Sequence, residues 1–219
     1  MDEMVEPATI FIVEDHEMLA ETLALALSAK GFECATADLS GGESLKDQVA
    51  RARPAVALLD LDLGDIDGID VVPILTAARA RVVVLTGCRD EPRIAAALAL
   101  GACGAINKAQ PFEQLLQAVV TAVEGRQIMR VDELEKLTAV GRARLRSERE
   151  LRARMAQLTA RELEVLHFMY EGKSVKQIAD ELVVSLATVR SHIRAILTKL
   201  GVNSQLSAVA QTRGLVAPK

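Results

Sequence analysis

The sequence predicts an α/β (βα)5 doubly wound parallel-sheet domain over residues 8–125 and a small all-α four-helix helix-turn-helix domain over residues 156–216, joined by a helical linker over 126–155. Three observations predict this. Short β-rich apolar runs alternate with segments of helical spacing through the first half. Capping residues and glycines cut the last third into four short helices. Charge divides the chain as well: residues 1–126 carry 10 Lys and Arg against 20 Asp and Glu, whereas residues 127–219 carry 16 against 10. The net charge of −4 therefore hides an acidic half suited to a cation and a basic half suited to a polyanion.

The strands in order are ATIFIV (8–13), FECATA (32–37), AVALLD (55–60), RVVVLT (81–86) and GAIN (104–107). Between them MLAETLALALSAKG, GESLKDQVARA, DGIDVVPILTAARA and DEPRIAAALALGA repeat at helical spacing, and EQLLQAVVTAVEG closes the set. Strands joined by helical crossovers form a parallel sheet covered on both faces, with ligands expected at the carboxyl ends of the strands. No apolar run reaches the roughly 18 to 20 residues of a membrane span, and the acidic opening MDEMVEPATI lacks the basic-then-apolar order of a secretory signal, so a cytoplasmic location is expected. Cys34, Cys88 and Cys103 show no CxxC spacing, which argues against a zinc site or disulfide framework and for reduced, buried thiols.

The strand ends carry a set of polar residues. The first runs into Glu14 and Asp15, the third into Asp60, the fourth into Thr86 and the fifth into Lys108. Converging carboxylates repel one another unless a hard cation such as Mg²⁺ sits among them. A hydroxyl and an ammonium nearby can then hold the oxygens of a phosphoryl group attached to the central carboxylate, Asp60.

On these residues the first domain resembles the receiver domains of bacterial two-component response regulators, over about residues 8–125. VEDH supplies the metal-binding acids Glu14 and Asp15, and LLDLDL the phosphoacceptor Asp60 with the Asp62 backbone carbonyl as a further metal ligand. LTG supplies the switch residue Thr86, and INKA supplies Lys108. Asp65 and Asp67 read as turn or cap residues, with Asp67 and Gly68 opening the next helix. Two features depart from the pattern. Gly64 stands where a proline is frequent, and Ala105 stands where an aromatic three residues before the lysine usually couples to the switch threonine.

Two rivals fail on spacing. An EF-hand loop counted from Asp60 would place Gly64 at position 5, Asp65 at position 6 and Val71 at position 12, where an oxygen ligand, a glycine and a glutamate are needed. A haloacid-dehalogenase-like phosphatase shares the DxD strand end and the downstream Thr and Lys. It also needs an acidic pair after the lysine, and none follows Lys108. No enzyme is expected.

The linker, RQIMRVDELEKLTAVGRARLRSERELRARMAQ, is rich in charge of both signs. Leu151, Met155 and Leu158 have coiled-coil spacing, but its backward extension meets Glu148, Arg144 and Gly141, so a solvated helix partly docked on a domain is expected.

In the last third Thr159 caps the first helix with Glu162 at its third position, and Gly172 ends it. Ser174 precedes VKQIADEL; Ser185 caps LATVRSHIRAILTKL, and Gly201 stops it. Val189, Ile193, Ile196, Leu197 and Leu200 form one stripe, leaving Ala187, Thr188, Arg190, Ser191, Arg194 and Thr198 outward, with His192 between the faces in a packing or phosphate role. The patterns LTARE, EGKSVKQIADEL, SLATVRSHI and TKLGV make this segment similar to LuxR-type output domains over about residues 156–216, although Ala160 and Gln205 stand where a proline and an arginine are common.

The resemblance implies that Arg190, Ser191 and Arg194 face bases, that Thr188, Lys199 and Lys176 contact the backbone, and that SQLSAVAQT pairs two subunits on inverted half-sites of double-stranded DNA. The two resemblances together imply a NarL/FixJ-type transcription regulator whose Asp60 takes a phosphoryl group from a cognate histidine kinase with Mg²⁺. It would bind DNA as a homodimer and have no membrane partner. The alternative is a regulator that binds DNA with Asp60 unphosphorylated, a reading supported by Ala105.

Overall fold

A computed structural model describes residues 8–87 and 90–212, so the acidic N-terminal stretch, Cys88 and the last seven residues lie outside the described residues. The chain divides into two compact units, Met1–Arg144 and Leu145–Lys219.

The first unit contains the predicted alternation. β1 (Thr9–Val13), α1 (Glu17–Ser28), β2 (Glu33–Thr36), α2 (Leu45–Ala52) and β3 (Val56–Asp60) come first. A short hairpin, β4 (Asp62–Leu63) with β5 (Ile66–Asp67), interrupts the series before α3 (Gly68–Ala77). β6 (Arg81–Thr86), α4 (Glu91–Ala99), β7 (Gly104–Asn107) and α5 (Phe112–Val123) complete it. The five long strands pair in parallel in the order β2-β1-β3-β6-β7.

The strand order reverses at β1, which sends the chain to β2 on one side and to β3 on the other, leaving a crevice beyond their carboxyl ends. Period-two alternation then splits the apolar residues between two cores. Phe11, Val13, Ala57, Leu59, Val82 and Val84 face α3 and α4 with Val72, Leu75 and Ala97, while Ile10, Ile12, Val56, Leu58, Val83 and Leu85 face α1 and α5 with Leu27 and Val119. β3 is buried along its whole length, which fixes where Asp60 emerges.

Local chemistry explains the loop after Asp60. Gly64 adopts φ +64°, a left-handed conformation that a proline could not take, and it turns the β4–β5 hairpin. Asp67 caps α3 by accepting from the Ile69 N–H at 3.1 Å. A Cβ on Gly68 would stand 2.3 Å from the Asp60 carbonyl oxygen, so glycine is required where α3 starts against the end of β3.

α6 (Val131–Met155) is one helix of 25 residues. In the first unit it docks through Leu134 and Leu137 on the α3/α4 core, and Gly141 is buried against the backbone of α4: a Cβ there would fall 1.8 Å from the Ala95 carbonyl oxygen.

The second unit packs α7 (Ala160–Tyr170), α8 (Val175–Leu182), α9 (Leu186–Leu200) and α10 (Gln205–Gln211) around Val165, Leu166, Ile178, Val189, Ile196 and Leu200. Thr159, Ser174, Ser185 and Ser204 each cap the helix that follows, and Thr159 and Ser174 form full capping boxes with Glu162 and Gln177. Gly172 and Gly201 take left-handed conformations after α7 and α9. The turn between α8 and α9 instead uses Val183 at φ +53°, an exposed β-branched residue in a region that disfavours one. Buried Glu162 also accepts from the Lys199 ammonium at 2.6 Å, tying α9 to the start of α7.

The hydrogen bond from Lys199, with that from the Thr159 backbone, holds the Glu162 carboxyl below its ordinary pKa. A depressed carboxylate pKa stabilises the fold above the unfolded value of roughly 4.3 and loses that contribution as pH falls through the folded value. Tyr170 lies on α7 and is the chain's only tyrosine, with no tryptophan present, so its fluorescence follows this unit. Urea unfolding read through Tyr170 should show Glu162→Gln about 1.5 kcal/mol less stable at pH 7, with a flatter loss of stability on acidification than the wild type.

Candidate functional site: the carboxyl edge of the sheet and the exposed face of α9

Asp60 is the last residue of β3, and Glu14 follows directly on β1, its neighbour in the sheet. Thr86 ends β6 on the other side; Lys108 directly follows β7, and its backbone N–H donates to the Thr86 carbonyl at 2.8 Å. The parallel register thus delivers these residues to one edge. Glu14, Asp60 and Thr86 are buried there, while Asp15 is exposed at the rim.

The Lys108 ammonium donates to Asp60 Oδ2 at 2.7 Å and to Glu14 Oε2 at 2.5 Å. Burial disfavours its charge, but the hydrogen bonds to Asp60 and Glu14 more than offset this and raise the pKa above its ordinary value. Because the folded pKa is raised, the contribution of these ion pairs is present below the unfolded value of roughly 10.4 and disappears only as pH rises through the folded one. One cation therefore serves two buried carboxylates at neutral pH.

Two partners at this edge went unnoticed in the sequence. His16 Nδ1 lies 3.0 Å from Glu14 Oε1 and 2.9 Å from Asp15 Oδ1, and its pKa is raised, first by the hydrogen bond to Glu14. Glu14, Asp15 and His16 are close enough to share a metal ion. The carboxylate oxygens of Glu14 and Asp15 are hard donors of the kind Mg²⁺ requires, so these residues fit that ion; Asp60, at the end of the neighbouring strand, lies outside this close group.

Arg93 on α4 is the second. It donates to the Leu61 carbonyl at 2.6 Å and to Asp67 Oδ1 at 2.8 Å, and it also pairs with Asp62. Burial opposes its charge, yet the hydrogen bonds to Asp67 and Asp62 raise its pKa further. No sequence spacing signals a residue 31 positions from its partner.

Ala105 on β7 is half-buried and packs in the core that also holds Met129, Leu134 and Leu137. Beside it a cleft of about 500 Å³ opens between α4, β7 and the first half of α6.

In the second unit, Arg190, Ser191 and Arg194 are exposed on one side of α9, opposite the buried stripe of Val189, Ile193, Ile196 and Leu200. Thr188 is half-buried, with its hydroxyl 2.9 Å from that of the cap residue Ser185. Lys176 on α8 is exposed, whereas Lys199 is only partly accessible and engaged with Glu162. The outward Arg190 and Arg194 stand one helical turn apart, which lets both reach a single groove.

The chain matches the family model described as response regulator receiver domain over residues 10–120 and that described as bacterial regulatory proteins, luxR family, over residues 156–211. It is 31% identical over 206 residues to the nitrate/nitrite response regulator protein NarL of Escherichia coli K12, covering 93% of this chain and 94% of that one. It is 27% identical over 205 residues to the transcriptional regulatory protein DesR of Bacillus subtilis 168, covering 94% and 96%. Among solved structures, the response regulator RcsB in its DNA complex aligns with a TM-score of 0.50 at 21% identity, over 95% of this chain and 99% of that one, a likeness of fold.

Removing the shared cation tests this geometry. In metal-free urea unfolding followed by far-UV circular dichroism, Lys108→Met should cost the first unit about 3 kcal/mol, because buried Asp60 and Glu14 lose the ammonium they share, while Glu14 keeps the exposed His16. Added Mg²⁺ should recover part of that deficit; a deficit that Mg²⁺ leaves unchanged would show that the carboxylates do not accept the ion.

Proposed function

Because the chain belongs to the two-component response regulators that join a receiver domain to a LuxR-type DNA-binding domain, the NarL/FixJ type, we propose that Asp60 is its phosphoacceptor and that phosphorylation controls how the second unit engages DNA. The observation that carries this reading is the Lys108 ammonium held between Asp60 and Glu14 at the end of the acceptor strand.

In the proposed reaction an Asp60 carboxylate oxygen attacks the phosphorus of a phosphohistidine on a cognate kinase. A P–O bond forms as the P–N bond breaks, and the imidazole leaves with the electron pair and takes up a proton. Mg²⁺ held by Glu14, Asp15, Asp60 and the Asp62 backbone carbonyl would neutralise charge on the phosphoryl oxygens. Lys108 is already hydrogen-bonded to Asp60 and supplies a fixed positive charge to the acylphosphate. Thr86, buried at the end of the adjacent strand, offers its hydroxyl to a phosphoryl oxygen.

The phosphorylated receiver would favour a homodimer on inverted half-sites, paired through α10, where Leu206 is exposed. Arg190, Ser191 and Arg194 would read base edges from the major groove, and Thr188, Lys176 and Lys199 would hold the phosphate backbone. Lys199 donates to Glu162, so a phosphate contact would require its ammonium to serve both. Ala105 supports a second reading, in which the same unit binds DNA while Asp60 stays unmodified.

Intact mass after incubation with acetyl phosphate and Mg²⁺ separates the two: a single phosphoryl adduct is expected on the wild type and none on Asp60→Ala or without the metal. No adduct under any condition would favour the second reading. For the DNA face, Arg190→Ala should narrow the gap between specific and random sequence by about 1 to 3 kcal/mol. Lys176→Ala should weaken both alike and reduce the salt slope by about one.

A further inference from the structure

Ala105 lines an open cleft beside α4, and Arg93, in the first turn of α4, reaches across to the loop after Asp60. We propose that Arg93 is a latch between the acceptor loop and α4. In the unphosphorylated protein its guanidinium ties the first turn of α4 to the loop after Asp60; a phosphoryl group on Asp60 draws it away from Asp62 and Asp67 and so shifts α4, and with it residues 131–144 of α6. The proposal rests on the reading of Asp60 as phosphoacceptor.

The latch is built for competition. Arg93 reaches across to the Leu61 carbonyl, one residue beyond Asp60, and to the carboxylates of Asp62 and Asp67. Its side chain is 23% exposed, whereas those of Asp62 and Asp67 are 71% and 52% exposed. Pairs with such wet carboxylates are individually weak. A phosphoryl group brings a charge of about −1.5 to −2 and three strong acceptor oxygens, and the planar guanidinium fork fits them better than it fits two separate monoanions.

The other end of the latch is mechanical. The Arg93 backbone N–H donates to the side chain of Asp90, the residue that caps α4, at 3.2 Å, so the guanidinium is carried by the capped first turn and its displacement pulls on the start of the helix. Ile94 packs in the same core as Ala105, Met129 and Leu137, and all four line the cleft beside β7, which leaves room for α4 to move. One residue further on, the Ala95 carbonyl lies under Gly141 of α6, so close that even a methyl group would not fit between them. A shift of α4 at that point cannot leave α6 where it was.

The test is amide hydrogen exchange on the full chain, with and without acetyl phosphate and Mg²⁺, for the wild type, Arg93→Ala and Arg93→Lys. Intact mass is recorded on the same samples. In the wild type, phosphorylation should speed exchange in residues 91–99 and 131–144 by about tenfold. Arg93→Ala should already exchange that fast when unphosphorylated and gain little more, although Asp60 still takes the adduct. Arg93→Lys, which keeps the charge but loses the fork, should fall between them.

If Arg93→Ala raises exchange equally in both forms and keeps the wild-type increment, Arg93 merely stabilises α4 and the latch is overturned while the adduct upholds Asp60 as acceptor. An adduct on the wild type with no increment in either segment overturns it too. Absence of any adduct overturns both readings.

Discussion

Two carboxylates buried side by side at the end of a parallel sheet are a liability, and the Lys108 ammonium between Glu14 and Asp60 makes them tolerable. Everything else at that edge is arranged around this charge balance. β3 is buried throughout so that Asp60 emerges at a fixed point, β1 lies beside it so that Glu14 arrives next to it, and the short step from β7 brings Lys108 within reach of both. A site held by one shared cation can accept another positive charge or a further anion with little rearrangement, because the donors are already oriented.

The sequence made the sheet legible because its central strands β1, β3 and β6 are buried almost throughout, and all five are short and separated by helical crossovers, a pattern with few alternative folds. The strand-end residues were legible for the same reason: a residue that ends a buried strand has only one edge to occupy. The β4–β5 hairpin was not, since two-residue strands such as Asp62–Leu63 and Ile66–Asp67 are too short to show alternation. Arg93 was invisible because its partners lie on another element, and a charged residue on an amphipathic helix reads as solvated until the fold brings an acceptor loop to it. His16 sat in plain view beside two acids, yet adjacency in sequence says nothing about whether a ring nitrogen turns toward them.

The second unit was readable through its punctuation. Thr159, Ser174 and Ser185 begin helices because their side chains satisfy backbone N–H groups that would otherwise lack partners, and those chemical demands are local. Long-range charge was not local: the resemblance implied a DNA-backbone contact for Lys199 but gave no sign that its ammonium also donates to Glu162, so the cation that joins α9 to α7 stands where DNA phosphates are proposed to lie. Val183 was equally opaque, because nothing in its side chain advertises a left-handed turn.

The linker was expected to be a helix partly docked on a domain, and residues 131–144 of α6 do dock in the first unit. How they dock has a further meaning. Gly141 meets the Ala95 carbonyl backbone to backbone, while its neighbours on the helix carry a Cβ, including Val140 and Arg142. Sliding α6 by a residue would drive a side chain into α4, so this contact has a single seating and no partial versions of it. A signal relayed through such a contact behaves as a step and not as a slope: the helix is seated or it is not, and what can be graded is only the fraction of molecules in each state.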